Sequence, residues 1–239
     1  MNILLFSTDE RVDDKGTVQL DGPRARHLRE VFGATTGKRL RAGEINGEIG
    51  EAQLTAVATG HITFTFTARH PPPAKPPLTL VLALPRPKML RRMLRTAAEC
   101  GVRELHLINA RRVEKSYWQS GLLQPANLRQ HLISGLEQSI DTVLPGLVLH
   151  RGFRPFAEDF LPALASGRRA LLAHPSARTA CPANGNEDTL IMIGPEGGFM
   201  DFEVDLAQQA GLECVSLGSR VLRAETALAA LLGRFLTGS

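Results

Sequence analysis

Residues 189–199 read Thr189-Leu190-Ile191-Met192-Ile193-Gly194-Pro195-Glu196-Gly197-Gly198-Phe199. The uncharged run up to Ile193 has strand length and is apolar on both alternating faces, the pattern of a strand buried within a parallel sheet. It ends in a glycine-rich loop, and helical spacing begins at once in residues 201–210. Ligands of open α/β sheets sit beyond the carboxyl ends of the strands, where glycines let the backbone come close to them. The loop is neither a G-x-G-x-x-G fingerprint nor a Walker loop, because the spacing differs and no Lys-Ser/Thr follows. Taken alone, Gly-Pro-Glu-Gly-Gly reads equally well as an ordinary strand-to-helix turn.

Residues 216–227, Ser216-Leu217-Gly218-Ser219-Arg220-Val221-Leu222-Arg223-Ala224-Glu225-Thr226-Ala227, repeat the plan of strand, glycine turn and helix start. Two such loops can flank one pocket. Working back along the chain, residues 78–84 form a continuous apolar run. Leu90, Met93, Leu94, Ala97 and Ala98 then recur at helical spacing within 88–100, and 105–108 is a second apolar run, which makes a βαβ opening. Further helices fit 127–139, 153–164, 201–210 and 224–236, with strands at 147–149, 170–173, 190–193 and 214–217. This alternation predicts an α/β domain built on a mostly parallel sheet. Residues 69–77, with five prolines, can continue neither helix nor sheet. Before them, strand-like runs at 3–6, 17–20, 39–41, 48–57 and 62–66, interrupted by one helix at 23–32, suggest a small β-barrel. The expected division is a first domain over 1–70, a proline-rich linker over 71–77 and a second domain over 78–239.

Composition bounds the function. The 239 residues are 43% hydrophobic and 22% charged, ordinary for a globular chain and wrong for a disordered or fibrous one. Apolar stretches are too short to cross a membrane. The apolar start lacks a basic leader and is followed at once by Asp9, Glu10, Asp13 and Asp14, so the cytoplasm is the expected location. Three cysteines without a C-x-x-C pair suggest neither a disulfide framework nor a zinc site. The seven histidines show no ligand spacing and no G-x-S-x-G is present, so no metal is expected and a hydrolase is disfavoured. Net charge is only +4, but residues 78–120 hold nine Lys and Arg, seven of them Arg, against three acids. That stretch is either a polyanion-binding face or a solvated helix surface. One Trp and one Tyr make an extensive base-stacking platform a poor expectation.

The segment Gly-Pro-Glu-Gly-Gly-Phe, followed some twenty residues later by Leu-Gly-Ser-Arg-Val-Leu-Arg-Ala-Glu-Thr-Ala, resembles the paired motifs of the 16S ribosomal RNA uridine-N3 methyltransferases (RsmE type) of the SPOUT superfamily. The resemblance extends to Arg26-His27-Leu28-Arg29-Glu30-Val31, Gly37-Lys38-Arg39-Leu40, Asn46-Gly47, Ala98-Glu99-Cys100-Gly101-Val102, Arg112, Glu137-Gln138 and His174-Pro175. It implies a PUA-like β-barrel at the N-terminus and a trefoil-knotted C-terminal domain, which sequence rules alone would never propose. It also implies S-adenosylmethionine as cofactor, a homodimer, and ribosomal RNA or the small ribosomal subunit as partner. Three positions depart from the family: Thr96 where a lysine is usual, Cys100 for leucine, and Ser139-Ile140-Asp141 where a Gly-Arg or Asn-Arg pair is usual.

Carried over by position, the cofactor pocket comprises Leu172, Ala173 and His174, then Ile193, Gly194, Pro195, Glu196, Gly197 and Gly198, then Leu217, Gly218, Val221, Leu222 and Thr226. Without the family, His174 beside Pro175 reads as a structural histidine. Arg223 is the preferred catalytic side chain, because a cation near O2 or O4 would stabilise a developing uridinate. It competes with phosphate binding or pairing to Glu196 as alternatives. Glu225 is the second catalytic candidate, although the macrodipole alone explains an acid in a first helical turn. RNA contacts are expected from Arg24, Arg26, His27 and Arg29 in the first domain. In the second they are expected from Arg86, Lys88, Arg91, Arg92, Arg95, Arg111 and Arg112, with Arg91, Arg92 and Arg95 on one helix face. Rival readings are a related enzyme acting on another ribosomal or transfer RNA nucleotide, and a non-catalytic RNA-binding assembly protein.

Overall fold

The computed structural model describes residues 2–183 and 187–236. The chain forms two compact units, one drawn from residues up to Ala74 together with Leu136–Leu144, the other from Lys75–Gly135 and the chain from Pro145 onward.

The first unit holds β1 (Leu4–Phe6), β2 (Thr17–Asp21), α1 (Gly22–Glu30), β3 (Arg39–Glu44), β4 (Ile49–Val57) and β5 (His61–His70). Its five strands lie in the order β1-β3-β4-β5-β2, antiparallel except for the β1–β3 pair. Alternation explains the packing: Ile62, Phe64 and Phe66 of β5 point into a core with Leu4, Phe6, Val18 and Leu28, while the threonines between them do not. Phe6 meets Phe66 edge-on with centroids 4.9 Å apart.

Leu136–Leu144 joins this unit by hydrogen bonds that no local pattern announces. The Asn2 amide donates to the Glu137 carbonyl at 2.9 Å, the Asn46 amide to the Thr142 carbonyl at 2.8 Å, and the Leu144 amide to Asn46 Oδ1 at 2.9 Å. A contiguous division at residues 71–77 leaves this excursion out. Asp141, one of the departures from the family, is buried here, and its Oδ1 accepts from the Val143 amide at 2.9 Å. It caps its own turn and presents no charge to a surface.

The second unit continues with β6 (Leu78–Ala83), α2 (Pro87–Glu99), β7 (Glu104–Ile108), α3 (Pro125–Ser139, which runs on into the excursion) and β8 (Gly146–His150). α4 (Phe153–Pro155), a π turn (Phe156–Phe160) and α5 (Leu161–Ala165) come next, then β9 (Arg169–Ala173), β10 (Thr189–Ile193), α6 (Asp201–Gln209), β11 (Glu213–Val215) and α7 (Ala224–Phe235). The six strands are all parallel, in the order β11-β9-β10-β6-β7-β8. Every residue of β6 and β10 is buried, as expected for central strands covered on both faces. The α/β class and the parallel sheet agree with the sequence reading.

The single helix expected over 153–164 is broken. Pro162 has no N–H to return to residue 158, and just before it the ladder changes register, with the Leu161 amide donating to the Phe156 carbonyl.

Candidate active site

β10 delivers its loop at the carboxyl edge of the sheet. Gly194 is required by close approach, since a Cβ there would stand 3.0 Å from the Phe199 ring. Gly198 has φ +74°, and its amide donates to the Pro195 carbonyl at 2.8 Å, closing a turn that other side chains would strain. Glu203, in the first turn of α6, is 1% exposed and locks the loop in place. Its carboxylate accepts from the Met200 amide at 2.8 Å and from the Arg111 amide, on the loop after β7, at 2.7 Å. Arg112 adds a second tie, donating from Nη1 to the Gly197 carbonyl at 2.5 Å.

Two concavities open at this edge. A crevice of about 110 Å³ is lined by Ala173 and His174 after β9, by Ile193, Gly194, Pro195, Glu196 and Gly198 after β10, and by Leu217, Gly218 and Leu222 before α7. His174 is fixed there: its amide donates to the Val215 carbonyl at 2.9 Å and its Nδ1 lies 2.9 Å from Ser176 Oγ. The second concavity, a cleft of about 590 Å³, shares Glu196, Leu222 and Ala224 with the crevice. Its apolar lining is Pro85, Met89, Met93 and Val221, and its cations are Arg86, Lys88, Arg92 and Arg223. The crevice alone is below the roughly 300–1,000 Å³ usual for small-molecule sites, and it reaches that range only together with the cleft.

The structure thus gathers most of the cofactor residues expected from sequence, with four differences. Leu172 is fully buried, Thr226 is exposed, and neither they nor Gly197 lines the crevice. Val221, 82% exposed, lines the cleft instead. Phe199 lines the crevice without having been expected to. Glu203 was also missed, because helix-start acids are commonplace and its second partner lies 92 residues away.

The cations separate by face. Arg91, Arg92 and Arg95 do not share one surface: Arg92 lines the cleft with Lys88, whereas Arg91 and Arg95 lie near His131 of α3. Each residue advances about 100° around a helix, so i and i+4 stay together while i+1 turns away. Burial first, and then those two arginines, push the His131 pKa down. Arg86 pairs with Glu196 at 3.4 Å. Arg223 makes no ion pair among the described residues, so the alternative of pairing with Glu196 is not taken up. Arg111 is exposed.

In the first unit, Arg26 and His27 are exposed. Arg24 is turned to internal use, pairing with Glu10 at 2.5 Å and donating to the Leu5 carbonyl. Arg29 donates to the Thr59 carbonyl at 2.9 Å and pairs with Glu30.

Residues 72–236 match the model of a family described as an RNA methyltransferase domain, which gives the class of protein. A curated relative, the ribosomal RNA small subunit methyltransferase E of Treponema pallidum, is 32% identical over 96% of this chain and 88% of its own length. The protein of that name from Mycobacterium tuberculosis is 26% identical over 98% of this chain and 91% of its own. Among solved structures, the small subunit methyltransferase E of Neisseria gonorrhoeae, bound to S-adenosyl methionine, superposes with a TM-score of 0.78 at 22% identity, covering 97% of this chain and 95% of that one. A probable rRNA methyltransferase of Porphyromonas gingivalis gives 0.73 at 23% identity, covering 96% and 95%. The chain belongs to the ribosomal RNA small subunit methyltransferase E family.

Proposed function

We propose that this protein is an S-adenosylmethionine-dependent methyltransferase of 16S ribosomal RNA that methylates N3 of one uridine. The observation that carries the reading is the junction of the two concavities: a narrow crevice and a wide cleft lined by four cations share Glu196, Leu222 and Ala224 as a common wall. The crevice residues suit the cofactor. Gly194 and Gly198 leave backbone groups unobstructed, and Ala173, Ile193, Phe199 and Leu217 supply apolar cover. When bound, the cofactor supplies an electrophilic methyl group.

The protein's own task is positioning and charge. N3 lies on the Watson–Crick edge, so the target uridine must be unpaired when it enters the cleft. Met89, Met93 and Val221 offer the base an apolar surface, and Arg86 and Lys88 are placed for phosphate. The guanidinium of Arg223, which makes no ion pair among the described residues, is the cation assigned to the charge that develops on O2 or O4, and Glu225 lines the same cleft. The family resemblance further supports a PUA-like barrel over residues 1–70, a trefoil knot in residues 78–239, a homodimer and a cytoplasmic enzyme. Arg26, His27, Arg91, Arg95 and Arg111 would then extend the RNA contact.

The test is transfer of labelled methyl groups to under-modified small ribosomal subunits and to naked ribosomal RNA, read by nucleoside mass spectrometry. 3-Methyluridine at one mapped position is expected. Absence of methylation while S-adenosylmethionine still raises the melting temperature would overturn the reading, and light scattering checks the dimer.

A further inference from the structure

Glu225, in the first turn of α7, lines the large cleft. Its Oε2 is shielded from water and accepts no hydrogen bond among the described residues. The Arg92 guanidinium lies 3.9 Å away, close enough for Coulomb attraction but beyond hydrogen-bond reach. A dipole at the helix start favours an acid here, but it does not supply the missing donor. A carboxylate oxygen kept from water with nothing to accept calls for an explanation.

The imide face of uracil supplies a matching set of groups. Its N3–H is a donor flanked by two carbonyl acceptors, so a carboxylate can accept from N3–H while the guanidinium beside it donates to a neighbouring carbonyl oxygen. Cytosine presents a bare lone pair at N3, which would face the carboxylate with like charge. Arg92 is long and two-thirds exposed, free to follow the base.

On the reading of the cleft given above, we infer that Glu225 and Arg92 together read the imide face of the target uracil, and that Glu225 takes its N3 proton. The N3–H bond breaks toward the carboxylate of Glu225, a side chain 28% exposed that lines the cleft. The electron pair left on N3 forms the bond to the methyl carbon, the carbon–sulfur pair stays on sulfur and cancels its positive charge, and the proton passes from the carboxyl group to water. Glu225 is thus assigned both selection of uridine over cytidine and a share of the rate.

The experiment uses the full chain and an RNA spanning the uridine mapped by methyl transfer, with a second RNA carrying cytidine at that position. Without cofactor, the wild type is expected to bind the uridine RNA about tenfold or more tightly than the cytidine RNA, and Glu225→Gln and Arg92→Ala to lose most of that ratio. With cofactor, single-turnover methylation by Glu225→Gln is expected to fall about 100-fold or more, while cofactor-induced thermal stabilisation is unchanged. Formate should restore part of the rate to Glu225→Ala, which a purely structural role would not allow. If the wild type methylates no uridine, the functional reading fails and this assignment falls with it. If it does, but Glu225→Gln keeps both the binding ratio and the rate within threefold, only the assignment is overturned.

Discussion

A single buried carboxylate, that of Glu203, serves two backbone amides on different loops. Replacing it with alanine leaves the part-buried Arg111 and Met200 N–H groups without their acceptor, at up to about 1–3 kcal/mol each. Glu203→Ala is therefore expected to lower unfolding free energy by about 2–5 kcal/mol at an unchanged denaturant slope, and to weaken cofactor binding through the displaced loop. Calorimetric titration with S-adenosylmethionine checks the second effect, and a loss below about 1 kcal/mol would contradict the first. Gly194 makes a companion case. An alanine there pushes against Phe199, so cofactor affinity should fall while RNA affinity in filter binding holds. At this scale the sequence was legible where chemistry is local. Gly194 and Gly198 announce a loop that comes close to a ligand, but the partners of Glu203 and the inward turn of Arg24 are set by residues distant in the chain.

Helix α2 shows how much an element's pattern reveals. Leu90, Met93, Leu94, Ala97 and Ala98 are all buried, as their spacing predicts, and the arginines stay outside. Which way each arginine faces depends on the neighbouring helix, which the periodicity does not name. Arg91 and Arg95 carry charge beside α3 and not in the cleft. The double substitution Arg91→Ala/Arg95→Ala should reduce the slope of log affinity against log salt by about 1.4 for single-stranded RNA, if both contact phosphate, and leave cofactor binding alone. An unchanged slope would show that these two charges are only solvated. The meeting of α2 and α3 is close at Gly135, where a Cβ would stand 2.5 Å from the Arg95 carbonyl oxygen. Gly135→Ala should destabilise the chain by about 1–3 kcal/mol by forcing the helices apart, measurable as a lower denaturation midpoint.

For the molecule as a whole, the response to acid follows from one buried histidine, His106, and two half-buried ones, His131 and His150. Burial pushes the pKa values of His106, His131 and His150 below the ordinary value. Glu104 opposes the effect at His106, while Arg168 adds to it and His106 itself adds to that at His150. The unfolded chain therefore takes up these protons first, and stability present above about pH 6.5 is lost as pH falls toward the depressed values. Glu137 acts in the other direction lower on the scale, because burial raises its pKa and the native state is protonated first. The melting temperature should thus drop between pH 7 and 5, and a flat profile there would contradict the lowered pKa values of these histidines. Domain-scale organisation was only partly legible. The proline run marks where β5 ends, yet the first unit also recruits residues 136–144, so a fragment ending at Ala74 should show far weaker near-ultraviolet signal and faster proteolysis than the same residues in the whole chain.

β10 lies between β6 and β9 although it follows both in the chain. During synthesis, two apolar strands therefore leave the ribosome with the place between them still vacant, each offering an open edge to any other nascent chain nearby. The parallel sheet has no continuous centre until residues 189–193 have emerged. The strand that carries the glycine loop is thus also the strand that ends this exposure, and slowed translation just ahead of it would prolong the interval in which the chain is most prone to aggregate.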